Sequence, residues 1–248
     1  MRPELRVLVT LVSALFPVAL EADDRKTDNN FNAWFNYFGD HPIGQSKWGA
    51  HLEGQWRRHD GALKWQQLLL RPGVNYEVNK LLLLTAGYGY VRAYPYGDFP
   101  AVRATNEHRI YQQAWFRYRT GSVLWNSRFR FENRFLGSRN AATGEQTFRY
   151  ENRFRMLQQA RIPITPKTYF TAYDELLLFV KPYVASSIYD QNRAYAAFGV
   201  SFNRDWRFEA GYLNQALLQR SGAVLESNHT LMLSIISTAR FRRKAANN

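Results

Sequence analysis

Cysteine is absent from the 248 residues. That excludes a disulfide framework, a thiolate metal site and a thiol nucleophile. It leaves the compartment open, because a chain without thiols is safe in any redox setting. Long apolar runs are missing too, with one exception at the start, and a mean hydropathy of -0.45 is too polar for a bundle of membrane helices. Lysine is scarce: Lys47, Lys64, Lys80, Lys167 and Lys181 fall at turns. The formal charge of +13 rests on arginine. Those arginines lie inside strand-like segments at alternate positions, not in a surface patch or basic tail, which argues against nucleic acid as a partner. No two histidines have the spacing of a helical metal site, and no glycine-rich phosphate loop follows a strand, so no metal or other cofactor is expected.

The exceptional apolar run is Val7 to Leu20, preceded by Arg2 and Arg6, with Ala19 or Ala22 able to end a small-residue cleavage site. It is too short to span a bilayer and has the layout of a secretory signal peptide, residues 1–22. A polar segment, residues 23–30, then leads into the body of the chain.

Beyond Asn30 nearly every segment alternates with period two, the signature of strands with one apolar and one polar face. In Lys47 to Arg57, Trp48, Ala50, Leu52, Gly54 and Trp56 share one face, while His51, Glu53, Gln55 and Arg57 share the other. The same pattern recurs in Lys64 to Glu77, Leu82 to Tyr90, Glu107 to Tyr118, Val123 to Phe135, Phe148 to Ile162, Thr168 to Val180, Asn192 to Phe202, Trp206 to Gln215 and Ser227 to Ser237. Ala33 to Phe38 looks like an eleventh strand. Short turns near residues 78–80, 119–122, 163–167 and 203–205 alternate with longer polar links near 91–106, 136–147 and 217–226. That is the habit of an outer-membrane barrel with its short turns on the periplasmic side. Aromatics sort by depth, with Trp48, Trp125, Phe202 and Trp206 near the short turns and Trp56, Tyr90, Phe135, Phe148 and Tyr212 near the long links, as two girdles would require. The expected fold is therefore an all-β, antiparallel transmembrane β-barrel of about 10–12 strands over residues 31–238. Barrels of this class have an even strand count with both ends periplasmic, so an eleventh strand does not fit the expectation. Residues 239–248, with Arg240, Arg242, Arg243 and Lys244, read as a basic periplasmic tail.

If the apolar face meets lipid, the other face lines the lumen. It carries Arg57, Arg71, Arg109, Arg117, Arg128, Arg130, Arg134, Arg149, Arg153, Arg155, Arg161, Arg193 and Arg207, against Glu53, Glu77, Glu107, Glu132, Glu151, Glu175 and Glu209. Buried charges have to be paired or wet. Arginine keeps its charge and offers a planar fork to carboxylates. The bland outcome is a ladder of ion pairs that fills the lumen; the sharper one is a surplus of arginine that draws anions into a pore or binds phosphate groups. Arg130-Phe131-Glu132-Asn133-Arg134-Phe135 recurs as Arg149-Tyr150-Glu151-Asn152-Arg153-Phe154, on adjacent strands. Each copy places Glu between two inward arginines, so pairing across the strands is expected.

Several short motifs, in order, resemble the uncharacterised bacterial family known as domain of unknown function 2490, which is grouped with outer-membrane barrels. They are Trp34, the run Gln66-Gln67-Leu68-Leu69-Leu70-Arg71-Pro72-Gly73, Gly87-Tyr88-Gly89-Tyr90, Glu107-His108-Arg109-Ile110-Tyr111-Gln112-Gln113, the two Glu-Asn-Arg strands, Tyr173-Asp174-Glu175, Asn192-Arg193 and Gly211-Tyr212. The resemblance covers most of the chain after the signal peptide. It implies fold and location and transfers no catalytic residue.

Two functional expectations lead. The first is a narrow pore biased towards anionic solutes by its lumen arginines, with Arg109, Arg128, Arg130, Arg134, Arg149, Arg153 and Arg155 set against Glu107, Glu132, Glu151 and Glu175. The second is a closed barrel with a structural or binding role, touching lipopolysaccharide phosphates through Arg92, Arg103, Arg139 and Arg220. A lipid hydrolase is a lesser alternative: His108 and His229 lie near strand ends where a base could meet Ser227 or Ser201, but spacing alone selects no such set. A soluble lipocalin-like barrel would instead turn its apolar face inward. In the membrane reading the partners are outer-membrane lipids, lipopolysaccharide and the barrel-assembly machinery; the oligomeric state stays open.

Overall fold

The computed structural model describes residues 25–139, 143–180 and 187–241. The proposed signal peptide and the last residues of the basic tail lie outside them, as does the side chain of Arg139. The described chain forms eleven strands and no helix: β1 Lys26–Pro42, β2 Trp48–His59, β3 Lys64–Glu77, β4 Leu82–Ala93, β5 Thr105–Thr120, β6 Val123–Arg139, β7 Gln146–Pro163, β8 Thr168–Val180, β9 Tyr189–Ser201, β10 Trp206–Leu218 and β11 Val224–Ser237. Each strand pairs with the next in antiparallel fashion. β1 then pairs with β11 in parallel, from Lys26 opposite Val224 to Gly39 opposite Ser237, and closes the barrel. Closure leaves no strand edge to template aggregation.

The alternation is obeyed on nearly every strand. Trp48, Leu52, Trp56, Leu70, Val74, Ile110, Phe129, Phe198, Leu231 and Ile235 face outward and are exposed, whereas Glu53, Arg71, Arg109, Arg130, Glu132 and Glu175 are buried inside. A lipocalin-like arrangement is thereby overturned: the apolar face is the outer one. Aromatic rings gather at both rims. Near the short turns Trp48 packs on Tyr76 and Trp125 on Tyr118; near the long links Trp56 packs on Trp65 and Phe135 on Tyr150.

Side chains close the short turns. Asn79 Oδ1 accepts from the backbone of Leu81 and Leu82, Asn203 Oδ1 from Asp205 and Trp206, and Thr165 Oγ1 from Lys167 and Thr168. These local bonds explain why Asn and Thr punctuate the chain there.

Three expectations need correction. Eleven strands lie within the expected 10–12, but the odd count makes the first and last strands run the same way, so a parallel closing pair joins an otherwise antiparallel barrel. Residues 26–30, expected as part of a polar segment ahead of the barrel, are the start of β1. Their inward positions are polar, which hides the alternation. Asp28 and Asn30 are buried, and further along Asn32 donates to Asn228 Oδ1 at 3.1 Å. Finally, residues 239–241 do not leave the barrel. Phe241 stacks on His41 at 4.5 Å and bridges to Ile43, and Arg240 donates to the carbonyl of Gly44.

Candidate functional site: the charged lumen

β6 and β7 supply the centre of the lumen, and their register decides its chemistry. Antiparallel pairing puts Glu132 opposite Arg153, Arg134 opposite Glu151 and Arg130 opposite Arg155. The two copies of the repeat therefore interlock, each glutamate against an arginine of the other copy. Arg153 Nη2 reaches Glu132 at 2.6 Å and Arg134 Nη1 reaches Glu151 at 3.5 Å.

Glu132 is fully buried and is the hub. Besides Arg153 it meets Arg155 at 2.9 Å, Arg71 at 3.4 Å, Arg130 at 3.8 Å and Arg109 at 3.9 Å. Glu175 on β8 takes Arg128, Arg155 at 2.7 Å and Arg193 at 3.5 Å. Glu107 on β5 bridges Arg109 at 2.7 Å and Arg134 at 2.5 Å, and Glu53 on β2 holds Arg71 at 2.6 Å. A buried carboxylate is tolerated only when its lone pairs are filled, and here guanidinium forks fill them.

Tyr111 threads this cluster. Its ring lies beneath the guanidinium groups of Arg71 and Arg130, at 5.4 and 5.2 Å. Two glycines make room for it: a Cβ on Gly73 would stand 2.6 Å from the Tyr111 hydroxyl, and one on Gly87 would stand 2.7 Å from it and 2.4 Å from the Pro72 carbonyl. The Pro72-Gly73 and Gly87 positions are thus a slot for a tyrosine from β5.

The opposite wall, from β9 round to β1, is different. Trp34, Tyr195, Ala197, Leu213 and Met232 form a small apolar cluster inside the barrel. Around it stand amides and hydroxyls, with Asn36 donating to Ser234 Oγ at 3.3 Å and Asn228 and Thr230 fully buried. Arg57 faces this wall. It is buried, donates to Gln55 and Gln67, and lies flat on Trp34 with its guanidinium 3.7 Å from the ring, but forms no ion pair among the described residues.

Two cavities flank the network, one of about 320 Å³ towards the short turns and one of about 240 Å³ towards the long links. Gln55, Arg57, Arg155 and Arg193 line both. A loop, residues 94–104, folds over the upper cavity. Tyr96 donates to Glu226 Oε2 at 2.6 Å and Gln219 Nε2 donates to the Phe99 carbonyl at 3.0 Å. Burial and the Glu226 carboxylate push the Tyr96 phenol well above its usual range, so it stays a donor.

Of the anticipated lumen residues, Arg109, Arg128, Arg130, Arg134, Arg153, Arg155, Glu107, Glu132, Glu151 and Glu175 are all buried together. Arg149 is not. Its side chain is 55% exposed at the long-link mouth, where it pairs with Glu151 at 2.8 Å. Glu77, expected inward, is exposed at the end of β3. Arg220, expected among loop contacts to lipopolysaccharide, turns onto Glu151 and the Phe179 ring. Missed altogether were Asp190, which takes Arg153 Nη1 at 2.8 Å, and the use of Trp34 as a platform for Arg57. Asp190 enters the lumen because the β8–β9 register shifts between Leu177 and Leu178, and no alternation pattern reveals a bulge. Among the described residues no group of three or more His, Asp or Glu side chains is arranged to hold a metal ion.

The comparisons identify a family and no activity. An uncharacterised protein of Methylorubrum extorquens is 29% identical over 191 residues, which is 74% of this chain and 77% of that protein. Among solved structures, a NanC porin in a rhombohedral crystal form aligns over 79% of this chain and 93% of its own, at 11% identity and a TM-score of 0.46. The profile of the family described as protein of unknown function, DUF2490, matches residues 31–226, and the chain belongs to that family.

Proposed function

We propose that this barrel spans the bacterial outer membrane and that its lumen is a narrow passage selective for small anions. An apolar outer belt between two aromatic rims supports the membrane setting, since a soluble barrel would not expose so many large apolar side chains. In that setting its surroundings are outer-membrane lipids and lipopolysaccharide, and the barrel-assembly machinery inserts it.

One observation carries the anion reading. Arg57 is a buried cation with amide and aromatic partners only, and it stands where the two cavities share a wall, beside Arg155 and Arg193. A desolvated charge of one sign at a constriction favours the counter-ion and rejects the like-charged one. The arginines of the central network are engaged by carboxylates and serve as the frame of the passage. Arg117, Arg161 and Arg207 line the cavity towards the short turns without an ion pair among the described residues.

The test is single-channel conductance of the refolded barrel in a planar bilayer, with reversal potential in a salt gradient. The expected result is a small, stable conductance with anion preference that Arg57→Glu reverses. A folded barrel that never conducts would leave the closed, structural or lipopolysaccharide-binding alternative.

A further inference from the structure

On the outside of the barrel, just below the β10–β11 turn, three polar side chains meet in a row. Ser227 and His229 are two residues apart on β11 and share the outward face. Ser227 Oγ lies 3.4 Å from His229 Nε2, and Tyr212 Oη on β10 lies 2.6 Å from His229 Nδ1. Asn214, directly opposite His229 in the ladder, donates from Nδ2 to Ser227 Oγ at 3.4 Å. Phe31 on β1 stacks on the imidazole with ring centroids 5.5 Å apart. Immediately deeper on the same face are Leu231 and Ile235, both exposed. The cluster therefore sits where the apolar belt gives way to polar surface, the depth at which the ester bonds of a lipid lie.

We infer that Ser227 and His229 form a serine hydrolase site that cleaves the acyl esters of glycerophospholipids packed against the barrel wall. In the tautomer that donates Nδ1–H to Tyr212 Oη, Nε2 is the acceptor facing Ser227, the arrangement a general base needs. Ser227 Oγ attacks the ester carbonyl carbon as its proton passes to His229 Nε2. The Asn214 amide, the side-chain donor beside the nucleophile, stabilises the oxyanion. The carbon–oxygen bond to glycerol breaks, and the departing alkoxide takes the proton from His229 and leaves as lysophospholipid. Water then attacks the acyl–Ser227 ester, gives one proton to the base, and frees the fatty acid and the serine. Tyr212 is a positioning residue; it acts only through the imidazole.

The barrel contains its own control. His108 on β5 has a tyrosine partner in the same position, Tyr88 Oη at 2.5 Å from Nδ1, and aromatic neighbours of its own, Tyr90 and Phe148. Among the described residues no hydroxyl hydrogen-bonds its other nitrogen. If His–Tyr pairs were only pieces of the aromatic rim, the two sites would behave alike.

The inference takes its substrate from the membrane setting proposed above but does not depend on conduction through the lumen. The full chain, refolded in detergent, is treated with a fluorophosphonate probe and separately given phosphatidylethanolamine in mixed micelles, with heat-modifiable migration confirming that each variant is folded. The expected result is an adduct on the Ser227 peptide and release of fatty acid. Ser227→Ala should abolish both, and His229→Asn should lower release by about 10³-fold. His108→Asn should leave release intact, and Tyr212→Phe should lower kcat while KM holds. No adduct on Ser227, or fatty acid release unaffected by Ser227→Ala, overturns the site. An adduct without phospholipid cleavage overturns the substrate class. Because the probe acts in detergent, failure of the membrane or pore reading leaves the adduct result readable.

Discussion

The two walls of the lumen solve the same problem in opposite ways. From β5 to β8 the wall is made of charge. Glu132, Glu107 and Glu175 are each surrounded by two or more guanidinium groups at ion-pair distance. From β9 round to β1 charge is sparser: Trp34, Leu213 and Met232 pack among amides and hydroxyls, with Asp190, Arg193, Glu209 and Glu226 as scattered buried charges among them. Buried charge is costly and tolerable only when fully partnered. The first wall is therefore committed to its own pairs, and the lumen cations left without a carboxylate among the described residues are Arg57 at the narrow centre and Arg117, Arg161 and Arg207 in the cavity towards the short turns. A count of inward arginines overstates the charge available to a solute, because those of the Glu-Asn-Arg strands are held by carboxylates.

Removing the hub should break this comparison most severely. Glu132→Gln leaves several arginines around a neutral amide, and a loss of about 3–5 kcal/mol is expected in urea unfolding of the barrel in micelles. The slot for Tyr111 comes next. Gly87→Ala drives a methyl against the Pro72 carbonyl and the Tyr111 hydroxyl, and about 1–3 kcal/mol of destabilisation should appear in the same assay. Facing the apolar cluster the effect shrinks. Arg57→Met removes a buried cation that no carboxylate partners, so stability should move by no more than about 1 kcal/mol while the anion preference of the conductance falls. Smallest of all is Arg149→Ala. Its half-exposed pair with Glu151 should be worth less than about 1 kcal/mol. An Arg149 effect as large as that of Glu132 would mean that the mouth and the centre of the lumen are not distinct.

The roof of the upper cavity offers a finer test. Tyr96→Phe removes the bond to Glu226, which joins residues 130 positions apart in the chain. Conductance should rise, with ion preference unchanged, because the loop is loosened and the Arg57 constriction is not touched.

Period two is a local property. Successive side chains of a strand point to opposite faces whatever the rest of the chain does. Nearly every strand, the apolar outer face, the arginine-rich inner one and the interlocking Glu-Asn-Arg repeat were therefore legible in order. β1 was legible only from Ala33, because its first inward positions are as polar as its outward ones and carry no contrast. Ser227 and His229 could be seen as neighbours on one face, but Tyr212 and Asn214 belong to another strand and come into place through register alone. The sequence by itself thus determined an all-β chain with a wet inside and an apolar outside. Tertiary structure decided the odd count and its parallel seam, which arginines keep a carboxylate and which do not, and where a histidine finds both a tyrosine and a serine. Those depend on how strands far apart in sequence are registered when the sheet closes, and no periodicity within one strand encodes that.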